Sequence, residues 1–222
     1  MTDIKSKIEE IKQLLTDRVE HFEYSRRAKI PFKVHSFIEI MNLRMVDFCE
    51  ATDLLIISNH IIPSLTLIRT LFENVAATYR ISSAIDKSLK SNKLSEDFDD
   101  LITKISLGTR YESDVRAINI ITNLEKLDKE YNGIKKNYDD LCEFVHPNWD
   151  GVQGSYSELN ETNRYTDVFK VVTKEHSLFD FIETCFLICM GVYIDCSKSI
   201  LTNLPSFSIL CESEIDKNQM RS

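Results

Sequence analysis

The chain has 222 residues, of which 43% are hydrophobic and 28% charged, a balance that excludes disorder over its whole length. Only five glycines and four prolines are present, which argues against a turn-rich strand fold and for long helices. The net charge of −8 excludes the electrostatic footprint of a general DNA binder.

Ile4, Ile8, Ile11, Leu15 and Phe22 recur at helical spacing between charged residues, which predicts a first amphipathic helix of about two dozen residues. Pro31 is expected to end it. Arg26, Arg27, Lys29 and Lys33 cluster at this break, as a solvated turn or a phosphate site. A second helix is predicted from about Phe32 to His60, with Phe37, Met41, Phe48 and Leu55 on one side. A third runs from Pro63 to about Leu89. It is apolar around most of its circumference, which places it at the centre of a bundle.

Ser95 and Asp97 mark a helix start, and Gly108 its stop. Ser113 is expected to cap a further helix through Tyr131, with Gly133 before a short helix ending near Val145. Pro147, Gly151 and Gly154 interrupt the pattern. Residues 146–172 form an irregular insertion: Tyr165 to Thr173 is either one strand of a hairpin with Gly151 to Ser157 or a lead-in to the last helix. That helix spans about Lys174 to Leu204 and ends at Pro205. The predicted fold is therefore all-α, a bundle of six or seven helices. It forms a single domain over residues 1–205 with a polar tail over 206–222.

The apolar stretch from Leu178 to Ile194 contains Asp180 and Glu183 and keeps helical periodicity, so it reads as a buried helix and not a membrane span. Met1-Thr-Asp-Ile-Lys opens onto an amphipathic helix with no apolar leader, which predicts a cytoplasmic protein. Its six cysteines should be reduced there. Cys142 and His146 stand four apart, a chelating interval, but Cys185, Cys189 and Cys196 lack paired zinc-ligand spacing and read as small core residues. No metal or cofactor is expected. Nucleotide-binding, hydrolase and metalloprotease motifs are absent.

Two constellations stand out. Arg69 and Glu73 are four apart on one face of the apolar third helix, with Arg80 further along the same side. They form either an intrahelical ion pair at the core's rim or a polar stripe facing a site. The other is His146-Pro147-Asn148-Trp149-Asp150-Gly151. Pro147 disfavours α geometry at His146 and puts it at the helix end, where the helix terminus favours its protonated form. His146 is then a helix cap, a general acid/base paired with Asn148, or a metal ligand. Arg69 and Glu73 are the residues expected to meet the segment 138–151.

Leu67-Ile-Arg69-Thr-Leu-Phe-Glu73, followed by Tyr138-x-x-Leu-Cys-Glu-Phe-Val-His146-Pro-Asn148, resembles a group of bacterial helical proteins related to the HEPN-like superfamily. The resemblance spans Ser64 to Gly151. It implies a helical bundle, often dimeric, belonging to a group that holds metal-independent ribonucleases of toxin–antitoxin and antiphage systems and also non-catalytic members. The catalytic signature of that superfamily is an arginine, four to six residues, then a histidine on one helix. No arginine precedes His146 at that interval, and Lys135 and Lys136 lie too far upstream. The departure favours a non-catalytic or partner-dependent interaction module that self-associates. The alternative is a ribonuclease in which His146 serves as acid/base on a ribose 2′-hydroxyl and Arg69 neutralises the phosphate, with Glu73 and Asn148 beside them. RNA is then the partner, and no membrane is involved.

Overall fold

The computed structural model describes residues 2–109, 111, 114–169 and 176–219. The fold is all-α, 73% helical with eight helices and one two-stranded sheet among the described residues. In chain order these are α1 (Thr2–Lys12), α2 (Lys29–Ile57), α3 (Ile61–Ser91), α4 (Phe98–Leu107), α5 (Ile120–Asp128) and α6 (Ile134–Val145). A π-helical turn (Trp149–Gln153) and the short α7 (Gly154–Tyr156) lead into β1 (Ser157–Asn160) and β2 (Tyr165–Val168). The last helix is α8 (His176–Gln219).

α3 is the central helix, packed against α2, α5, α6 and α8. Leu65, Ile68, Leu71 and Phe72 are fully buried along it, as the all-round apolar pattern requires. One part of the core gathers α1, α2, α3, α5, α6 and the first half of α8. A second joins α2, α3, α4 and the last part of α8 around Phe98 and Phe207, whose ring centroids are 4.8 Å apart. Asn42 is buried between them: its Oδ1 accepts from Tyr193 Oη at 2.7 Å and Ser197 Oγ at 2.9 Å, and its Nδ2 donates to the Leu14 carbonyl at 3.2 Å. All its partners lie within the chain, which is what a buried amide needs.

Three helix limits differ from the sequence expectation. α1 stops at Lys12 instead of continuing to Pro31. Leu15 and Phe22 continue its apolar spacing but are exposed, Phe22 at 68%, so the period past residue 12 has no core to face. Pro31 does not end a helix. It occupies the third position of α2, where the amide it lacks would have had no intrahelical partner. Pro205 likewise does not stop α8, which continues to Gln219. The residues expected as a polar tail from 206 instead bury Phe207, Leu210 and Cys211. Burial of those side chains offsets the backbone hydrogen bond that an interior proline removes.

α5 begins at Ile120, where Asn119 caps it by accepting from the Ile121 amide at 3.0 Å. The expected cap, Ser113, lies outside the described residues. Gly133 has φ +96°, a left-handed backbone open to glycine. Asp128 Oδ1 takes the amides of Gly133 and Lys135 at 3.0 and 2.9 Å, fixing the entry to α6.

The insertion carries a hairpin, with Ser157 opposite Val168 and Asn160 opposite Tyr165. Its first strand is therefore 157–160, not 151–157, because residues 149–156 coil into helical turns. Residues 170–175, including the expected lead-in to α8, lie outside the described residues. α8 is long and apolar enough to cross a membrane by length and composition. Here it packs against α3, α2 and α1.

Candidate functional site

Arg69 and Glu73 sit on the face of α3 that meets α6. Tyr138 lies in the second turn of α6 and is only 2% exposed. Its hydroxyl accepts from Arg69 Nη2 at 2.7 Å and donates to Glu73 Oε1 at 2.9 Å. Arg69 Nε donates to Cys142 Sγ at 3.1 Å, one turn further along α6. Arg69 Nη1 also stands 3.3 Å from Glu73 Oε1. The pair is thus more than an i, i+4 ion pair at the core's rim: both members are tied to α6 through one phenol. The side chains of Arg69 and Glu73 remain 27% and 28% exposed, so water reaches the network from one side.

The electrostatics follow from this placement. Burial, together with the hydrogen bond to Glu73, pushes the Tyr138 hydroxyl well above its ordinary pKa, with Arg69 opposing. Burial works against charge on Arg69. Contacts with Cys142, Tyr138 and Glu73 outweigh it and hold the guanidinium above its usual value. Tyr138 therefore stays protonated and Arg69 charged, so these two groups bind and orient, and neither is itself a proton acceptor near neutral pH.

His146 ends α6 with extended backbone (φ −79°, ψ 148°), as Pro147 dictates. Its imidazole is exposed, and no hydrogen bond joins it to Arg69, Glu73 or Asn148 among the described residues. The backbone is where His146 does its local work. Its amide donates to the Cys142 carbonyl at 3.1 Å, and its own carbonyl accepts from Asn148 N at 2.8 Å. A Cβ on Gly151 would stand 2.0 Å from that carbonyl, so only glycine permits the turn to fold back on the helix end.

Asn148 is occupied by the loop. Its Nδ2 donates to Glu143 Oε2 at 2.6 Å, and its Oδ1 accepts from the Gly151 amide at 3.1 Å, capping the π-helical turn. The structure thus brings Arg69 and Glu73 together with Tyr138 and Cys142, and Asn148 with Glu143. It does not join His146 to Asn148 as a pair. A cavity of about 350 Å³ flanks this loop, lined by Asp140, Glu143, Phe144, Asp150 and the start of α8. Neither Arg69 nor His146 lines it.

Cys142 faces Arg69, and the other five cysteines are buried and unpaired. No group of three or more metal-ligating side chains occurs among the described residues. The basic run at the first helix break is neutralised in part: Arg27 pairs with Asp216, and Lys33 pairs with Asp99 and bonds Thr103.

Sequence reasoning missed Tyr138 as the centre of the network. The available signal was the interval from Tyr138 to Cys142, one helical turn, which sets both on the same face as an incoming arginine. No protein-family model, no curated protein and no solved structure matches the chain.

Proposed function

We propose that this chain is a non-catalytic, partner-dependent interaction module of HEPN-like type that acts as a cytoplasmic homodimer. The observation that carries the reading is the apolar surface of the insertion. Trp149 is 71% exposed, Leu159 64% and Val168 83%. In the hairpin register Leu159 and Val168 share one face, and the strand bearing Leu159 touches the turn bearing Trp149. Large exposed apolar side chains gathered on one small element are the mark of a surface that meets a partner. The Arg69–Tyr138–Glu73 network supports the same reading, because its polar groups are engaged with each other and serve as a latch between α3 and α6.

The test is sedimentation equilibrium of the full chain. Wild type sediments as a dimer at micromolar concentration, and Trp149→Ser with Val168→Thr shifts it to monomer without loss of helical signal. A monomeric wild type removes self-association.

A second reading, a metal-independent ribonuclease effector of a toxin or antiphage system, is favoured by one observation. His146 is exposed, without a side-chain partner among the described residues, and one turn beyond Cys142, which Arg69 contacts. Against it stand the carboxylates Asp140, Glu143 and Asp150 around the adjoining cavity, which repel a phosphate backbone.

A further inference from the structure

A separate part of the molecule carries chemistry that the Arg69 network does not use. On α3, Arg80, Ser83, Lys87 and Lys90 recur at intervals of three, four and three, and therefore lie on one face. α5 packs on α3 and adds Lys126, with Lys129 just after it. Two adjoining cavities of about 710 and 660 Å³ both have Arg80, Ser83, Lys87 and Lys126 in their walls.

These cations are unlike most of the others in the chain. Lys33, Lys104, Lys135, Lys136 and Lys198 each have a carboxylate partner at ion-pair distance. Arg80, Lys87, Lys126 and Lys129 have none among the described residues. Arg80 Nε is buried with no hydrogen-bond acceptor. Burial lowers the pKa of Arg80. Burial and then the neighbouring Arg80, Lys87 and Lys129 lower that of Lys126.

The carboxylates in the walls offset this charge only in part: Asp97 favours the charged forms of Arg80 and Lys126 without reaching ion-pair distance of either. Asp86 accepts from Asn203 Nδ2 at 3.0 Å, and Asp97 is bonded by the Ser95 hydroxyl. Glu96, Glu130 and Asp195 also line the cavities. In the second cavity five cations face three carboxylates, within a chain whose net charge is −8. An unpaired guanidinium and crowded ammonium groups oppose folding. A bound polyanion would supply the missing acceptors and remove the repulsion.

We propose that the groove between α3 and α5 binds a small polyphosphate-bearing ligand, held by Arg80, Lys87, Lys126 and Lys129. Arg80 offers a fork suited to phosphate oxygens, the lysines offer point charges, and Ser83 adds a hydroxyl. The two cavities sharing one basic wall suit an extended chain of phosphates better than a single one. Tyr79 and Tyr131, in edge-to-face contact at 6.2 Å, also line the second cavity and offer an aromatic surface for a nucleoside base. The site is independent of Arg69 and His146.

The experiment is calorimetric titration and thermal unfolding of the full chain with sodium tripolyphosphate and, separately, with ATP, at matched ionic strength. Both ligands saturate and raise the melting temperature. Tighter binding of ATP assigns the tyrosine wall to a base, and equal binding assigns the site to the phosphate chain alone. Lys87→Gln with Lys126→Gln, both exposed positions, weakens binding at least ~10-fold and does not lower the ligand-free melting temperature. Lys135→Gln with Lys136→Gln binds as wild type. Arg80→Gln loses binding and does not lower the ligand-free melting temperature. Absence of saturable binding of either ligand at millimolar concentration overturns the proposal, as does equal loss in the Lys135/Lys136 control. Binding of single-stranded RNA through Lys87 and Lys126 with no binding of tripolyphosphate overturns it in favour of nucleic acid.

Discussion

Arg69 on α3 donates to the Tyr138 hydroxyl on α6 at 2.7 Å, and that hydroxyl donates in turn to Glu73 Oε1 at 2.9 Å. A charged residue beside an otherwise buried helix face thereby gains a partner in another element. Removing the hydroxyl while keeping the ring isolates this link. Tyr138→Phe should cost about 1–3 kcal/mol in urea denaturation, because a donor on Arg69 and an acceptor on Glu73 lose their partner at once. A loss below roughly 0.5 kcal/mol would mean that water entering from the exposed side replaces the phenol.

The ion pair itself predicts a coupling. Arg69→Met alone leaves Glu73 with the phenol only, and Glu73→Gln alone leaves Arg69 facing a neutral amide. The double change should cost less than the sum of the two, by about 1 kcal/mol in a double-mutant cycle. The more-than-quarter exposure of both side chains keeps this below the ~3–5 kcal/mol of a fully buried pair. Strict additivity would show that the two charges do not sense each other.

His146→Ala should leave stability within roughly 1 kcal/mol, since the imidazole is exposed and the local hydrogen bonds come from its backbone. On the interaction-module reading, neither this change nor Arg69→Ala alters RNA integrity or growth on expression. Wild-type RNA cleavage that both variants abolish while remaining folded would instead establish the ribonuclease reading.

The central helix and the placement of Arg69 and Glu73 on one face of it were legible because both rest on local periodicity. Leu65, Ile68, Leu71 and Phe72 can be buried only on a helix surrounded by others. The end of α1 was not legible: Leu15 and Phe22 keep the apolar spacing, and only the absence of facing core separates them from Ile11. Pro31 and Pro205 show the same limit. A proline marks a missing amide, but whether that amide was needed depends on its position in the helix and on what the next turn buries. The Arg80 groove was out of reach because Lys126 is supplied by a different helix, and pairing of charges across helices leaves no trace in local spacing.

Pro205 offers a direct measurement of that trade. It is exposed within α8, so replacing it restores a backbone donor without altering the core. Pro205→Ala should raise stability by about 1–3 kcal/mol, read as a higher urea midpoint. A decrease would show that the proline shapes the helix so that Phe207 can reach Phe98.

The buried thiols set an alkaline limit. Burial pushes Cys49, Cys185, Cys196 and Cys211 each up to about 12 from an ordinary value of 9.0. Above pH 9 the unfolded chain gives up these protons while the folded chain keeps them. The unfolded state then binds fewer protons, and stability falls with rising pH. Each thiol's contribution is fully present below about pH 9 and declines until about pH 12 at about 1.4 kcal/mol per pH unit. Cys196→Ala tests one of them against the background of titrating lysines and tyrosines. Unfolding free energies from urea denaturation at intervals from pH 8 to 11 should fall less steeply in the variant, by about 1.4 kcal/mol per pH unit above pH 9. Identical slopes would place Cys196 in contact with water and remove it from the buried interface of α8.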